Sequence, residues 1–234
     1  MTVVEKVKSV RRAKATYKTT SGELVPGVTT ILGLRAKPAL VEWGFRIGKS
    51  NPNLNSIREY VDDLADIGTC AHYMLDCHLR DITADLGDFS PNVVEQAKNC
   101  TRKYFDWAQG KDIQVIHADL EMVSDRYRFG GKLDVFAKID GRFTVLDFKT
   151  GKGIYQESLY QVAAYAELLK ERGEQVDAIR ILQIGRTGAE GFTERVLDEW
   201  SNYWLAFLAL RQLYDLEKCI DRNERWDQIP QKEA

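Results

Sequence analysis

Asp147 and Lys149 stand near the end of the run Phe143-Thr144-Val145-Leu146-Asp147-Phe148-Lys149. That run is apolar apart from Thr144 and these two charges. A second run, Lys132–Ile139, precedes it, and Asp140-Gly141 joins them. Asp-Gly between two alternating runs is a strong signal for a two-residue hairpin turn. Such a turn sets Ile139 opposite Arg142, and counting outwards sets Asp134 opposite Asp147. A four-residue turn keeps this register; a three-residue turn shifts it. Opposed side chains share one face with Cβ atoms ~5 Å apart, and like charges there repel. Lys149, two residues from Asp147, falls on the same face. Charges on a half-buried strand are costly unless paired or bound to a metal, and a cation between the carboxylates is the simplest compensation. The plain alternative is an exposed carboxylate–lysine pair at a sheet edge.

Two carboxylates with a lysine suit phosphodiester chemistry. Mg²⁺ takes hard oxygen ligands and keeps waters that phosphate oxygens can replace. A metal so held lowers the pKa of a bound water and offsets charge on the reacting phosphate. A lysine can orient that water or stabilise developing negative charge.

The elements around this hairpin follow from local pattern. Ser21-Gly22 between Ala15–Lys18 and Glu23–Val25 predicts a small hairpin. Short helices are expected over Thr29–Leu34 and over Pro38–Gly48, the second with proline in its first turn. Ser56–Leu79 has helical spacing with a break expected near Gly68, whose missing side chain is also expected to let this helix approach the sheet. Ser90-Pro91 predicts an N-cap and N1 proline for a helix over Asn92–Gln109. After Gly110 the pattern changes. Ile113–Val123 alternates as a strand, the Asp134/Asp147 hairpin follows, and Gln156–Arg172 is helical. Val176–Gly185 and Phe192–Val196 read as strands. Asp198–Ile220 closes the chain as a helix. Trp200, Tyr203, Trp204, Phe207 and Leu208 stripe one side of that helix, which suits a core face better than a base-stacking platform or a dimer face.

On these residues the chain resembles the PD-(D/E)XK nucleases. Asp134 with Asp147-Phe148-Lys149 resembles their catalytic signature, although Leu133 stands where a proline often precedes the first aspartate. Gly68-Thr69-Cys70-Ala71-His72 resembles the GxxxH motif of RecB-type members, and Gln161-Val162-Ala163-Ala164-Tyr165 the QxxxY motif that follows. Val28-Thr29-Thr30-Ile31-Leu32, then Lys37-Pro38 and Trp43, resembles the opening of phage-type and mitochondrial single-strand exonucleases of this group.

The resemblance implies an α/β restriction-endonuclease-like core, a mixed central sheet flanked by helices with a helical N-terminal portion. It implies Asp134, Asp147 and the Phe148 backbone carbonyl as ligands to Mg²⁺ or Mn²⁺, His72 as a further ligand, and Lys149 as the residue that positions or activates water. Gln161 and Tyr165 would contact DNA and brace the site. Glu121, on the preceding strand, stands where many relatives carry an acid. Read without the resemblance, His72 is a satisfied helix histidine and Tyr165 a core aromatic. Some relatives hold an iron–sulfur cluster with one cysteine before the GxxxH histidine and three near the C-terminus. Here only Cys219 lies in the C-terminal region, so no cluster is expected.

Composition bounds the reading. The 234 residues carry 44% hydrophobic and 29% charged residues, ordinary for a globular chain, and no apolar run is long enough to span a bilayer. Cys70, Cys77, Cys100 and Cys219 form no CxxC pair, which favours reduced thiols over a disulfide framework or zinc site. No GxxxxGK[ST] phosphate loop is present. Net charge is −2, but residues 1–60 hold 11 Lys/Arg against 4 Asp/Glu. A basic segment on an acidic body either binds polyanions or stays solvated.

The resulting expectations are a basic arm and hairpin (1–24), a single nuclease domain (25–222, helical to 110 and sheet-based from 111), and a polar tail (223–234). The expected activity is that of a metal-dependent DNA exonuclease acting on single strands or DNA ends in replication, recombination or repair. Its partners would be DNA and recombination or replication proteins, with no membrane. The expected location is the cytoplasm of a bacterial or phage-infected cell rather than a mitochondrion. A structure-dependent endonuclease and a weakly catalytic DNA-binding or assembly protein are the alternatives.

Overall fold

The computed structural model describes residues 15–222. The basic segment 1–14 and the tail 223–234 lie outside the described residues. A small hairpin, β1 (Tyr17–Lys18) and β2 (Leu24–Val25), leads to α1 (Val28–Leu32), α2 (Pro38–Ser50), α3 (Ile57–Leu79) and α4 (Pro91–Ala108). Then follow β3 (Ile113–Ser124), β4 (Phe129–Ile139), β5 (Arg142–Lys149), α5 (Gln156–Glu171), β6 (Ala178–Ile184), β7 (Phe192–Leu197) and α6 (Ser201–Asp221). The large sheet has the order β3-β4-β5-β6-β7. All neighbours are antiparallel except β5 and β6, which run parallel across the α5 crossover. This is the mixed sheet with flanking helices expected of a restriction-endonuclease-like core. Among the described residues no helix is long and apolar enough to cross a membrane.

Local chemistry sets the boundaries. Asp140 and Gly141 both take positive φ, 49° and 84°, as a type I′ turn requires. Ile139 accordingly pairs with Arg142, and the ladder runs outwards to Val135 opposite Leu146. The Ser90 hydroxyl accepts from the Val93 amide, with Pro91 at N1 of α4. The Ser56 hydroxyl caps α3 by accepting from the Glu59 amide. Helix α3 runs through Gly68 without a break, contrary to the sequence expectation. The glycine serves the close approach that the sequence also predicts: a Cβ there would stand 2.9 Å from Thr150 Oγ1. Helical glycine costs ~1 kcal/mol against alanine, and here it lets α3 lie against the end of β5.

The sheet divides two cores. On one side α1, α5 and α6 bury Phe129, Phe136, Val145, Val162, Trp204 and Phe207. On the other, α3 and α4 bury Cys70, Leu75, Tyr104, Val135, Leu146 and Phe148. Trp200, at the N-cap of α6, and Trp204 and Phe207 within it thus belong to the core. Because successive strand residues alternate faces, Asp147 and Lys149 point towards α5 while Phe148 between them points towards α3 and α4.

Candidate active site

Beyond the Val135–Leu146 pair the β4–β5 ladder stops, one step before Asp134 and Asp147. There the Phe148 amide donates to Asp134 Oδ2 at 2.9 Å, a side chain, instead of to a strand carbonyl. The other oxygen of that carboxylate, Oδ1, lies 3.2 Å from His72 Nδ1. Asp134 is therefore held by α3 on one side and by the β5 backbone on the other. It also interrupts the pairing with β3, which passes from Leu120–Leu133 to Ala118–Val135 and skips Asp119 and Asp134. Asp119 takes a left-handed φ of 55°, a conformation that aspartate tolerates better than most residues.

Asp147 is held differently. It is 2% exposed, and Lys149 Nζ stands 2.7 Å from its Oδ2. Lys149 is thus the charged partner of this buried oxygen. Lys149 Nζ also donates to Gln161 Oε1 at 3.0 Å, and Gln161 Nε2 donates to Tyr165 Oη at 2.8 Å. Gln161 and Tyr165 sit one turn apart on α5, so one helix face orients the lysine. Tyr165 is 4% exposed, and its ring lies where a side chain at position 131 would be: a Cβ on Gly131 would come within 2.5 Å of Tyr165 Cε1. Tyr165 braces Gln161 from within the core and has little surface left for a polymer. Tyr165 is thus a core aromatic whose hydroxyl accepts from Gln161.

The two carboxylates have opposite electrostatics. Burial raises the Asp147 carboxyl, Lys149 opposes that, and the Asp134 charge reinforces it, so the group is pushed up to about 6. Burial acts on Asp134 too, but the His72 charge and hydrogen bond, Lys149 and the Phe148 amide outweigh it. Asp134 is held well below the usual carboxylate range. Burial also raises the Tyr165 hydroxyl, which stays protonated.

These groups line an open cavity of about 450 Å³, with Tyr17, Val28, Thr29, Lys132 and Thr150 completing the wall. Asp134, Asp147, Lys149, Gln161, Tyr165 and His72 are thus brought together. Glu121 is not: it is exposed, lies opposite Lys132 on β3 and is absent from the wall. Residues that the sequence reading did not single out take part. Lys132 lines the cavity and pairs with Asp119 at 2.5 Å. Asp76, one turn after His72 on α3, shares a small recess with Asp119, His72 and Asp134. Burial raises the Asp76 carboxyl, Arg80 opposes this and Asp119 adds to it. Asp76 was findable from its four-residue spacing to His72; Asp119 depends on a backbone irregularity that the pattern does not announce.

Among the described residues no three His, Cys, Asp or Glu side chains converge as a ready-made metal cluster. The donor set nevertheless suits a hard cation. Two acidic groups, Asp147 and the ionised Asp134, line one cavity with Lys149 between them and the wall of α5. Hard divalent ions take such oxygen donors.

No family model matches the chain, and no curated protein matches it. Among solved structures, the chain is similar to a "putative exonuclease" of Eubacterium rectale, with 15% identity, coverage of 78% of this chain and 77% of that one, and a TM-score of 0.39. It is also similar to SSO0001, with 12% identity, coverage of 73% and 86%, and a TM-score of 0.31. What the chain does must be read from the site itself.

Proposed function

We propose that this protein is a metal-dependent deoxyribonuclease, an exonuclease that hydrolyses phosphodiester bonds of single-stranded DNA or DNA ends. The carrying observation is the buried Asp147 carboxyl group, ion-paired with Lys149 and lining the same cavity as Asp134. Asp134, Asp147 and the Phe148 carbonyl would hold Mg²⁺ or Mn²⁺, with His72 as a further ligand or as the group that orients Asp134. The ion supplies charge neutralisation at the phosphate and a more acidic bound water.

The chain's own residues do the remaining work. Asp134 stays ionised because His72 and the Phe148 amide stabilise its charge. Lys149, fixed by Gln161 and through it by Tyr165, presents its ammonium at the carboxylates, where it can orient a water and balance developing negative charge. Lys132 adds a second ammonium to the wall against a phosphate. The cavity is open, as a polymer substrate requires.

The test is cleavage of end-labelled single- and double-stranded DNA with Mg²⁺, with Mn²⁺ and in EDTA. Products released progressively from one end are expected, with none in EDTA. Asp134→Ala and Asp147→Ala should each lose more activity than the ~100-fold that outer-shell changes at metal sites cost, with near-native folding by circular dichroism. Full activity in EDTA or in Asp147→Ala removes this reading; internal nicking of circular DNA replaces the exonuclease with an endonuclease.

A further inference from the structure

Tyr17 stands where a hairpin too small to fold alone meets the cavity. Strands β1 and β2 have two residues each, and an isolated two-stranded hairpin is marginal in water. The body of the protein holds this one in place. The Thr20 amide and hydroxyl both donate to Asp125, at 2.8 and 2.5 Å. Arg128 pairs with Glu23, and the Gly130 amide donates to the Pro26 carbonyl at 3.0 Å. The Tyr17 ring lies against two glycines. A Cβ on Gly27 would come within 2.9 Å of its Cε2, and one on Gly130 would overlap the ring outright. The ring is nevertheless partly exposed, and it lines the cavity that holds Asp134, Asp147 and Lys149.

Lys132 is on the same side of β4. That strand pairs regularly with β3 from Phe129 to Leu133, and Phe129 and Leu133 are buried in the core beneath α5 and α6. Gly131 faces the same way, since a Cβ there would meet the Tyr165 ring. Positions 130 and 132 therefore share the opposite face. The Tyr17 ring takes the place of a side chain at 130, two residues along that face from Lys132. The Lys132 ammonium lies 2.5 Å from Asp119 Oδ2, with the two side chains 27% and 29% exposed, and Lys132 lines the same cavity as Tyr17. A partly exposed ion pair of this kind is weak, so a phosphate can recruit the ammonium.

We propose that Tyr17 and Lys132 form a subsite for one nucleotide next to the cleaved bond, the base stacked on the ring and the phosphate on the ammonium. Proteins that hold single strands without reading sequence combine aromatic faces with cations in this way. Lys149 lies on the α5 face of the sheet and Lys132 on the other, so the phosphate at Lys132 is a neighbour of the one cleaved. The position of the cleaved bond rests on the nuclease reading; the test of the subsite does not.

Two fluorescent oligomers of about four nucleotides, oligo-dT and an abasic chain with the same phosphates, are titrated onto the full chain in EDTA and again in Ca²⁺. Wild type should prefer oligo-dT about tenfold, the effect of one stacked base. Tyr17→Leu keeps an apolar side chain against the glycines. It should lose the preference and bind the abasic chain as wild type does, and Tyr17→Phe should retain the preference. Lys132→Ala should weaken both oligomers and reduce the slope of log affinity against log salt by about 0.7, one phosphate contact on a single strand. With Mg²⁺, Tyr17→Leu should raise KM for oligo-dT. Equal binding of the two oligomers by wild type overturns the subsite, and so does binding of neither. A Tyr17→Leu protein that keeps the preference, or that weakens both oligomers alike, also overturns it and leaves Tyr17 as the peg of the hairpin. An unchanged salt slope in Lys132→Ala overturns it too. A Tyr17-dependent preference without metal-dependent cleavage keeps the subsite and removes the nuclease. Cleavage without the preference does the reverse.

Discussion

The two carboxylates of the site are held from opposite faces of the sheet, and they are held for different purposes. On the α5 face Asp147 is buried against a lysine that a glutamine and a tyrosine keep in line. Asp134, which lines the same cavity, is 14% exposed and takes hydrogen bonds from a histidine of α3 and a backbone amide of β5. The first environment opposes ionisation and the second enforces it. Two aspartates adjacent across one hairpin thus acquire different roles through their neighbours. Under the proposed reading, a carboxylate that is costly to ionise when alone would gain most from a cation, and one already ionised would fix where it sits.

The contrast breaks most severely at the lysine. Lys149→Ala should reduce kcat by about 10²- to 10³-fold, the scale of losing one positioned charge or donor at the reacting centre. Gln161→Ala should produce a smaller fall in the same parameter, since the ammonium remains but its support is lost. Steady-state kinetics of both variants decide this: a Gln161→Ala enzyme with wild-type kcat would reduce the α5 face to packing.

On the other face, His72→Ala should cost about 10- to 100-fold, as changes to groups that orient metal-binding carboxylates do. Added Mn²⁺ distinguishes the two ways His72 can act. Imidazole suits Mn²⁺ better than Mg²⁺, so Mn²⁺ should preferentially support the wild type if His72 is a ligand. An unchanged Mn²⁺/Mg²⁺ activity ratio in His72→Ala would leave the histidine as a partner of Asp134 alone.

The smallest expected effect is on stability without metal. A carboxyl raised in the folded state favours folding below its unfolded pKa, and that contribution is lost as pH rises through the folded value. For Asp147 the window runs from 3.8 to about 6. Across it the metal-free protein should lose up to roughly 3 kcal/mol from this group, at 1.36 kcal/mol per unit. Asp147→Asn should flatten the slope and be more stable than wild type at neutral pH in EDTA. Urea denaturation at several pH values measures both; parallel pH profiles for the two proteins would contradict the burial argument.

What was legible in the sequence was what local chemistry determines. Asp140-Gly141 sets the turn, the turn sets the register, and the register brings Asp134 and Asp147 together. Ser90-Pro91 starts α4 for equally local reasons. His72 was legible only through its motif, because nothing near position 72 announces a partner 62 residues away. Lys132 and Asp119 were missed, and Glu121 lies outside the cavity wall, for one reason. The left-handed turn at Asp119 and the skipped pairing opposite Asp134 decide which side chains near that end of β3 meet the cavity. Strand alternation cannot reveal such an irregularity. Gly68 carried two expectations, a break and a close approach, because a glycine inside a helical pattern signals either with the same letter; only the close approach is found.

The chain separations within the site carry a consequence for how it assembles. Asp134, Asp147 and Lys149 lie within one hairpin closed by two residues, and the Asp134–Phe148 bond spans only 14 residues. Hairpins form in about 1–10 μs, whereas contacts distant in sequence wait for larger loops to close. The acidic pair can therefore come together early in folding. The histidine contact spans 62 residues and needs α3 docked on the far side of the sheet. In a refolding experiment, signals from the hairpin should precede those that require His72, and the latter would report the arrival of the finished native chain.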